Sequence, residues 1–159
     1  MTKKTRTSRA LALMAAGVVV TLATGARAGD DQTITVFKSP WCGCCEVWTD
    51  AAKDAGFEVK IEDMEDLSAI KKQAGVPEDM QACHTAVIGG DRKYVVEGHV
   101  PLEAIRKMMS ERPDIRGIAV PGMPQGSLGM GFDPKAKYTV FTLGEKASDK
   151  PMPYMTMGE

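Results

Sequence analysis

Three of the four cysteines fall within four consecutive positions, in the run Trp41-Cys42-Gly43-Cys44-Cys45, and the fourth, Cys83, is followed by His84 just before an apolar stretch. In an oxidising compartment, four cysteines ordinarily read as two structural disulfides. The spacing argues against that here. Crosslinks stabilise most when they close long loops, and a bridge among positions 42, 44 and 45 constrains only its own turn. At most one long-range staple, to Cys83, is available. The chain must therefore fold so that a thiol-rich turn is useful chemically rather than as reinforcement.

The residues around the cysteines set the expected elements. Thr33-Ile34-Thr35-Val36-Phe37 alternates as a strand, Ser39-Pro40 breaks it, and Cys44 to Ala55 reads as a helix closed by Gly56. Phe57, Val59 and Ile61 alternate with charged residues as a second strand. Asp66 to Ala74 then forms a short helix ended by Gly75. Thr85 to Ile88 is a buried-looking strand, Gly89-Gly90-Asp91 turns, and Tyr94 to Glu97 returns as its hairpin partner. Pro101 starts a helix through about Ser110, with Leu102, Ile105, Met108 and Met109 inward. This order, β-α-β-α-β-β-α, is the thioredoxin-like order, an α/β fold with a mixed sheet and helices on both faces. The Gly-, Pro- and Met-rich stretch from Pro113 to Gly131 is expected to be a shaped loop without helical or strand period. Tyr138 to Leu143 reads as a further strand, and the Met-containing tail from Gly144 to Glu159 as loosely held.

Lys3, Lys4, Arg6 and Arg9 precede an apolar run from Ala10 to about Thr24, and Ala26-Arg27-Ala28 supplies a cleavage pattern. Residues 1–28 are thus expected to be a secretory signal peptide, with one domain over 29–143. The apolar run falls short of the roughly 20 residues that a spanning helix needs, so the processed chain is not expected to span a membrane. The leader holds five of the 20 basic residues and none of the 21 acidic ones, which leaves a mature charge of about −6. A nucleic-acid binder wants a basic face, so no nucleic-acid partner is expected.

On that fold Cys42 lies in the loop after the first strand, and Cys44 and Cys45 open the helix. Free backbone N–H groups and the positive end of the helix dipole favour thiolates there. The loop Ala82-Cys83-His84-Thr85 precedes the third strand, where thioredoxin-like folds usually carry a cis-proline, and brings a fourth thiol to the first three. Four close thiolates repel one another unless bridged, protonated or metallated. Thiolate and thioether ligands select Cu(I), Zn²⁺ and iron–sulfur clusters, and the methionines of the later loop tilt the choice toward Cu(I).

Four motifs in order carry a resemblance: Trp41-Cys42-Gly43-Cys44-Cys45, Ala82-Cys83-His84-Thr85-Ala86-Val87, Val96-Glu97-Gly98-His99-Val100-Pro101, and Val120-Pro121-Gly122-Met123-Pro124 with Gly126-Ser127-Leu128-Gly129-Met130. Over about Ile34 to Leu143 the chain resembles the CopG-type periplasmic copper-resistance proteins, long filed as a domain of unknown function and unrelated to the plasmid repressor of the same name. The resemblance implies a periplasmic thioredoxin-like domain that binds copper through Cys42, Cys44, Cys45 and Cys83 and works beside other periplasmic copper-handling proteins.

The expected function is Cu(I) binding, of one ion or several, for sequestration, transfer or redox handling in copper resistance. His99 is a supporting or alternate ligand on the family motif, and a loop or capping residue without it. Met123 and Met130 are either thioether ligands or gap fillers under the loop. His84 should point away from Cys83 if the strand has begun, leaving it a hydrogen-bonding role. Trp41 and Trp48 read as packing residues, Trp41 also shielding the site from water. The rival from another class is a thiol–disulfide oxidoreductase with Cys42 as nucleophile and Cys45 as resolving thiol. A structural Zn²⁺ site is a third reading.

Overall fold

The computed structural model describes residues 32–146 and 148–158, together with Met1. The expected signal peptide lies, but for Met1, outside the described residues. Strand β1, Thr33–Lys38, buries Ile34, Val36 and Lys38 in alternation. After the Ser39-Pro40 break, α1 runs Gly43–Asp54 and buries Cys45, Trp48, Thr49 and Ala52 on one stripe. β2 is Glu58–Asp63, α2 is Ser68–Ala74, and a 3₁₀ turn over Glu78–Met80 leads into β3, His84–Ile88. β4, Tyr94–Glu97, is followed by α3, Leu102–Glu111. This is the expected β-α-β-α-β-β-α order.

The strands join in one seven-stranded mixed sheet, in which β2, β1, β3 and β4 are followed by β5 (Gly117–Ala119), β6 (Thr139–Leu143) and β7 (Pro153–Thr156). The β1/β2 and β4/β5 pairs are parallel and the others antiparallel. Val36, Ala86, Val96 and Ile118 sit opposite one another across four strands and form one row of the larger core. Trp48 and Ala52 of α1 and Ala104, Ile105 and Met108 of α3 cover that face. Because side chains alternate along a strand, Val95 and Ala119 turn to the other face, where they cluster with Val76, Leu143 and Ala74 of α2. Helices therefore cover both faces, as expected. Among the described residues no helix is long and apolar enough to cross a membrane.

Two expectations are corrected. The stretch read as period-free loop contains β5, a central strand of three residues. Gly117 opens it because a Cβ there would lie 1.9 Å from the Val95 carbonyl oxygen, so only glycine lets β5 pair with β4. The tail expected to be loose carries β7. Thr156 and Met155 pair with Thr139 and Val140, Met155 packs on the larger core, and the Tyr154 hydroxyl donates to Glu111 Oε2 at 3.1 Å.

Candidate metal centre

The site forms where β1 ends, α1 begins and the β3–β4 hairpin closes. Cys42 is the N-cap of α1, and its carbonyl accepts from the N–H groups of Cys45 and Glu46 at 3.1 and 3.2 Å. No side chain caps this helix start, so its first turn leaves donor groups facing the thiols. N-cap and N3 positions face one another, which brings Cys42 and Cys45 to a Cα–Cα distance of 5.3 Å, joined as a disulfide. Cys44 is free, with Sγ 3.4 Å from Cys42 Sγ.

The second half of the site comes from the hairpin. His84, the first residue of β3, pairs with Lys38 at the end of β1, which sets Cys83 beside the cysteine turn. His99 follows β4 by two residues. Cys83 Sγ lies 3.0 Å from His99 Nε2 and 3.5 Å from His84 Nδ1. Two donor sets result, each with its ligand atoms within 4.8 Å of one another: Cys42, Cys44, Cys45 and Cys83, and Cys45, Cys83, His84 and His99. Cys45 and Cys83 belong to both. The sulfurs of the four cysteines converge as expected, but only Cys44 and Cys83 are free thiols, Cys42 and Cys45 being bonded to each other.

His84 differs from expectation. Its ring is fully buried beneath the site, with its centroid 4.6 Å from that of Trp48 and 5.4 Å from that of His99. Packing under Trp48 turns the ring toward Cys83 rather than away from it, a tertiary contact that strand alternation alone does not reveal. Trp48 is itself fixed by an Nε1–H bond to the Val100 carbonyl at 2.8 Å. Trp41 is 84% exposed, so it does not shield the thiols.

The loop after β5 crosses the site through its backbone. Gly122 forms a parallel bridge with Ala82, one residue before Cys83, and its N–H donates to the Gln81 carbonyl at 3.1 Å. At Gly129 a Cβ would lie 2.6 Å from the Cys44 carbonyl oxygen and 3.6 Å from His99 Cε1. Met130 is half-buried beside this contact, whereas Met123 is 54% exposed. The glycine backbone at Gly129 abuts the cysteine turn, and the open face of Met123 is not that of a gap filler.

Burial, reinforced by the neighbouring Cys44, pushes the Cys83 thiol up to about 12. Burial holds His84 down at about 3, with His99 and Lys71 adding to the effect, and it also lowers His99. Near neutral pH both imidazoles are neutral donors, and Cys83 keeps its proton until a cation takes the sulfur. The buried His84 Nε2 and His99 Nδ1 have no hydrogen-bond partner among the described residues. Soft sulfur with neutral imidazole is a donor chemistry suited to a soft or borderline cation.

Sequence reasoning missed the residues behind the hairpin. Lys71, Thr85 and Glu97 are buried together, with Glu97 fully inaccessible. The available signal was an acid closing the otherwise apolar strand Tyr94-Val95-Val96-Glu97.

Residues 80–130 match a family described as a protein of unknown function, DUF411. No curated protein matches the chain. Among solved structures, a "Copper resistance protein copG- Form 1" is 39% identical with a TM-score of 0.70, the match covering 80% of this chain and 98% of that one. A second structure, titled "Form 2" of the same protein, is 40% identical with a TM-score of 0.69, covering 78% and 96%. Identity at this level, sustained over nearly the whole of each solved chain, places the chain in the CopG family of copper-resistance proteins.

Proposed function

We propose that the protein is a periplasmic Cu(I)-binding protein that sequesters, transfers or redox-handles copper in resistance. The observation that carries this reading is the convergence of four cysteines and two neutral histidines into overlapping donor sets that share Cys45 and Cys83. A thiolate common to two sets bridges two ions, which supports a site for more than one Cu(I). Copper passes to other periplasmic copper-handling proteins by stepwise exchange of these ligands, and the half-buried Cys42 and Cys44 form the entry side. The names of the two matched structures support copper rather than zinc.

The Cys42–Cys45 disulfide favours a second reading, a thiol–disulfide oxidoreductase. The two readings meet in one chemistry, because two electrons and two protons convert the disulfide into the two thiols that the larger donor set needs. Anaerobic titration of the reduced mature protein with Cu(I) against a competing chelator tests the first reading. Wild type is expected to retain Cu(I) at equimolar competitor, and Cys83→Ser to lower stoichiometry or affinity; no retained copper sinks it. Insulin reduction that survives Cys44→Ser and Cys83→Ser would establish the second instead.

A further inference from the structure

The Glu97 carboxylate reaches both sides of the Cys83-His84 pair. Oε1 accepts from the Ala82 N–H at 2.8 Å, one residue before Cys83, and Oε2 accepts from the Thr85 hydroxyl at 2.6 Å, one residue after His84. Lys71 Nζ, arriving from α2, donates to Glu97 Oε1 at 2.5 Å and to Thr85 Oγ1 at 3.1 Å. Lys71 is buried with it.

A buried ion pair adds little stability over an apolar pair of the same volume, because desolvation offsets most of the attraction. This one is distinguished by where its hydrogen bonds fall. Apart from the Lys71–Glu97 contact itself, every bond of the network described here ends on the segment that carries Cys83 and His84. The carboxylate is anchored in turn by its own strand: Glu97 is opposite Thr85 in the ladder, and its carbonyl accepts from Val120 N–H at 2.9 Å. Two residues further on the same strand delivers His99. Between them Gly98 presses on Ala82, where a Cβ would lie 2.5 Å from the Ala82 Cβ. One side chain thus ties the Cys83 segment to the His99 arm.

We propose that Glu97 and Lys71 are positioning residues of the metal centre: the carboxylate clamps the chain on either side of Cys83 and His84 and holds their donor atoms within reach of the helix thiols and His99. The inference rests on the metal-binding reading above and deepens it. Without the clamp the cysteine turn keeps its three thiols, whereas Cys83 and His84 lose their fixed place relative to it.

The test compares wild type with Lys71→Met/Glu97→Leu, which replaces both charges by apolar groups and so avoids stranding one of them. Thr85→Val, which removes only the clamped hydroxyl, is the second variant and decides the matter if the double variant does not fold. Cu(I) affinity by chelator competition is expected to fall about 10- to 100-fold in the double variant, as for other partners that orient metal ligands, and several-fold in Thr85→Val. Adding Cys83→Ser to either should cost less than the sum of the two separate losses, since the clamp acts in large part through Cys83. Unchanged affinity, or losses that simply add, overturns the proposal. A second readout needs no metal: in the reduced apo-protein, iodoacetamide labelling of Cys83, resolved from the other thiols by peptide mass mapping, should speed up about tenfold. If wild type takes up no Cu(I), the metal reading fails by itself. Labelling then decides the clamp: faster in the variants supports it, equal rates overturn it.

Discussion

Desolvation at His84 has a direct consequence for stability. Burial keeps its imidazole neutral down to about pH 3 in the folded chain, while in the unfolded chain it protonates near 6.5. Below 6.5 the unfolded state therefore holds more protons, and stability rises with pH through this window. The contribution is fully present above about 6.5 and is lost as the pH falls toward 3. Thermal melts of the metal-free protein should show the midpoint falling on acidification, with a shallower fall in His84→Gln; parallel slopes would rule out His84 as the source. Cys83 carries the opposite sign. Its thiol is held up at about 12 by burial, so in the metal-free protein with the Cys42–Cys45 disulfide intact the stability it lends is present below the ordinary thiol range and declines as the pH rises from about 9 to 12. Urea midpoints measured across that range should fall less in Cys83→Ser.

At the scale of elements, the loop after β5 is held against the site at Gly129, whose φ of +93° and contact with the Cys44 carbonyl leave no room for a side chain. Gly129→Val is expected to cost about 1–3 kcal/mol in urea denaturation and to speed alkylation of Cys44, since the loop must lift to admit the new side chain. Unaltered labelling would mean that the loop does not cover the thiols. The elements from β1 to α3, and β6, were legible in the sequence because each repeats its apolar spacing or is closed by a turn residue such as Gly56 or Gly75. β5 has three residues and opens on Gly117, too short to show alternation, and its central place depends on partners on either side. β7 was hidden because it is a short strand in a polar, Met-containing tail, and it opens on Pro153, which is tolerated because the strand lies at the sheet edge. Cys42, Cys44 and Cys45 were legible because their spacing is local, and Cys83 because the expected fold carries the loop before β3 to them. The turn of His84 and the Glu97 clamp were not, since both follow from packing between distant segments.

On the scale of the whole molecule, the sheet is finished by the tail. Ending the chain at Leu143 removes β7, exposes the edge of β6 and strips Met155 from the core. That truncation should lower the urea midpoint and promote association through the bared edge, visible by light scattering, while leaving Cu(I) stoichiometry unchanged because β7 contributes no residue to either donor set. A truncated protein that keeps the full-length midpoint would show β7 to be dispensable. The division of the donors along the chain has a temporal consequence. Cys42, Cys44 and Cys45 are neighbours before any folding takes place, whereas Cys83, His84 and His99 arrive only when β1, β3 and β4 have paired. A reduced chain emerging unfolded can therefore seize a metal ion with the local triad at once and recruit the remaining ligands as the hairpin docks. An ion already held by the unfolded chain would stabilise the fold only by what the later ligands add, so folding would serve to seal the ion in rather than to capture it.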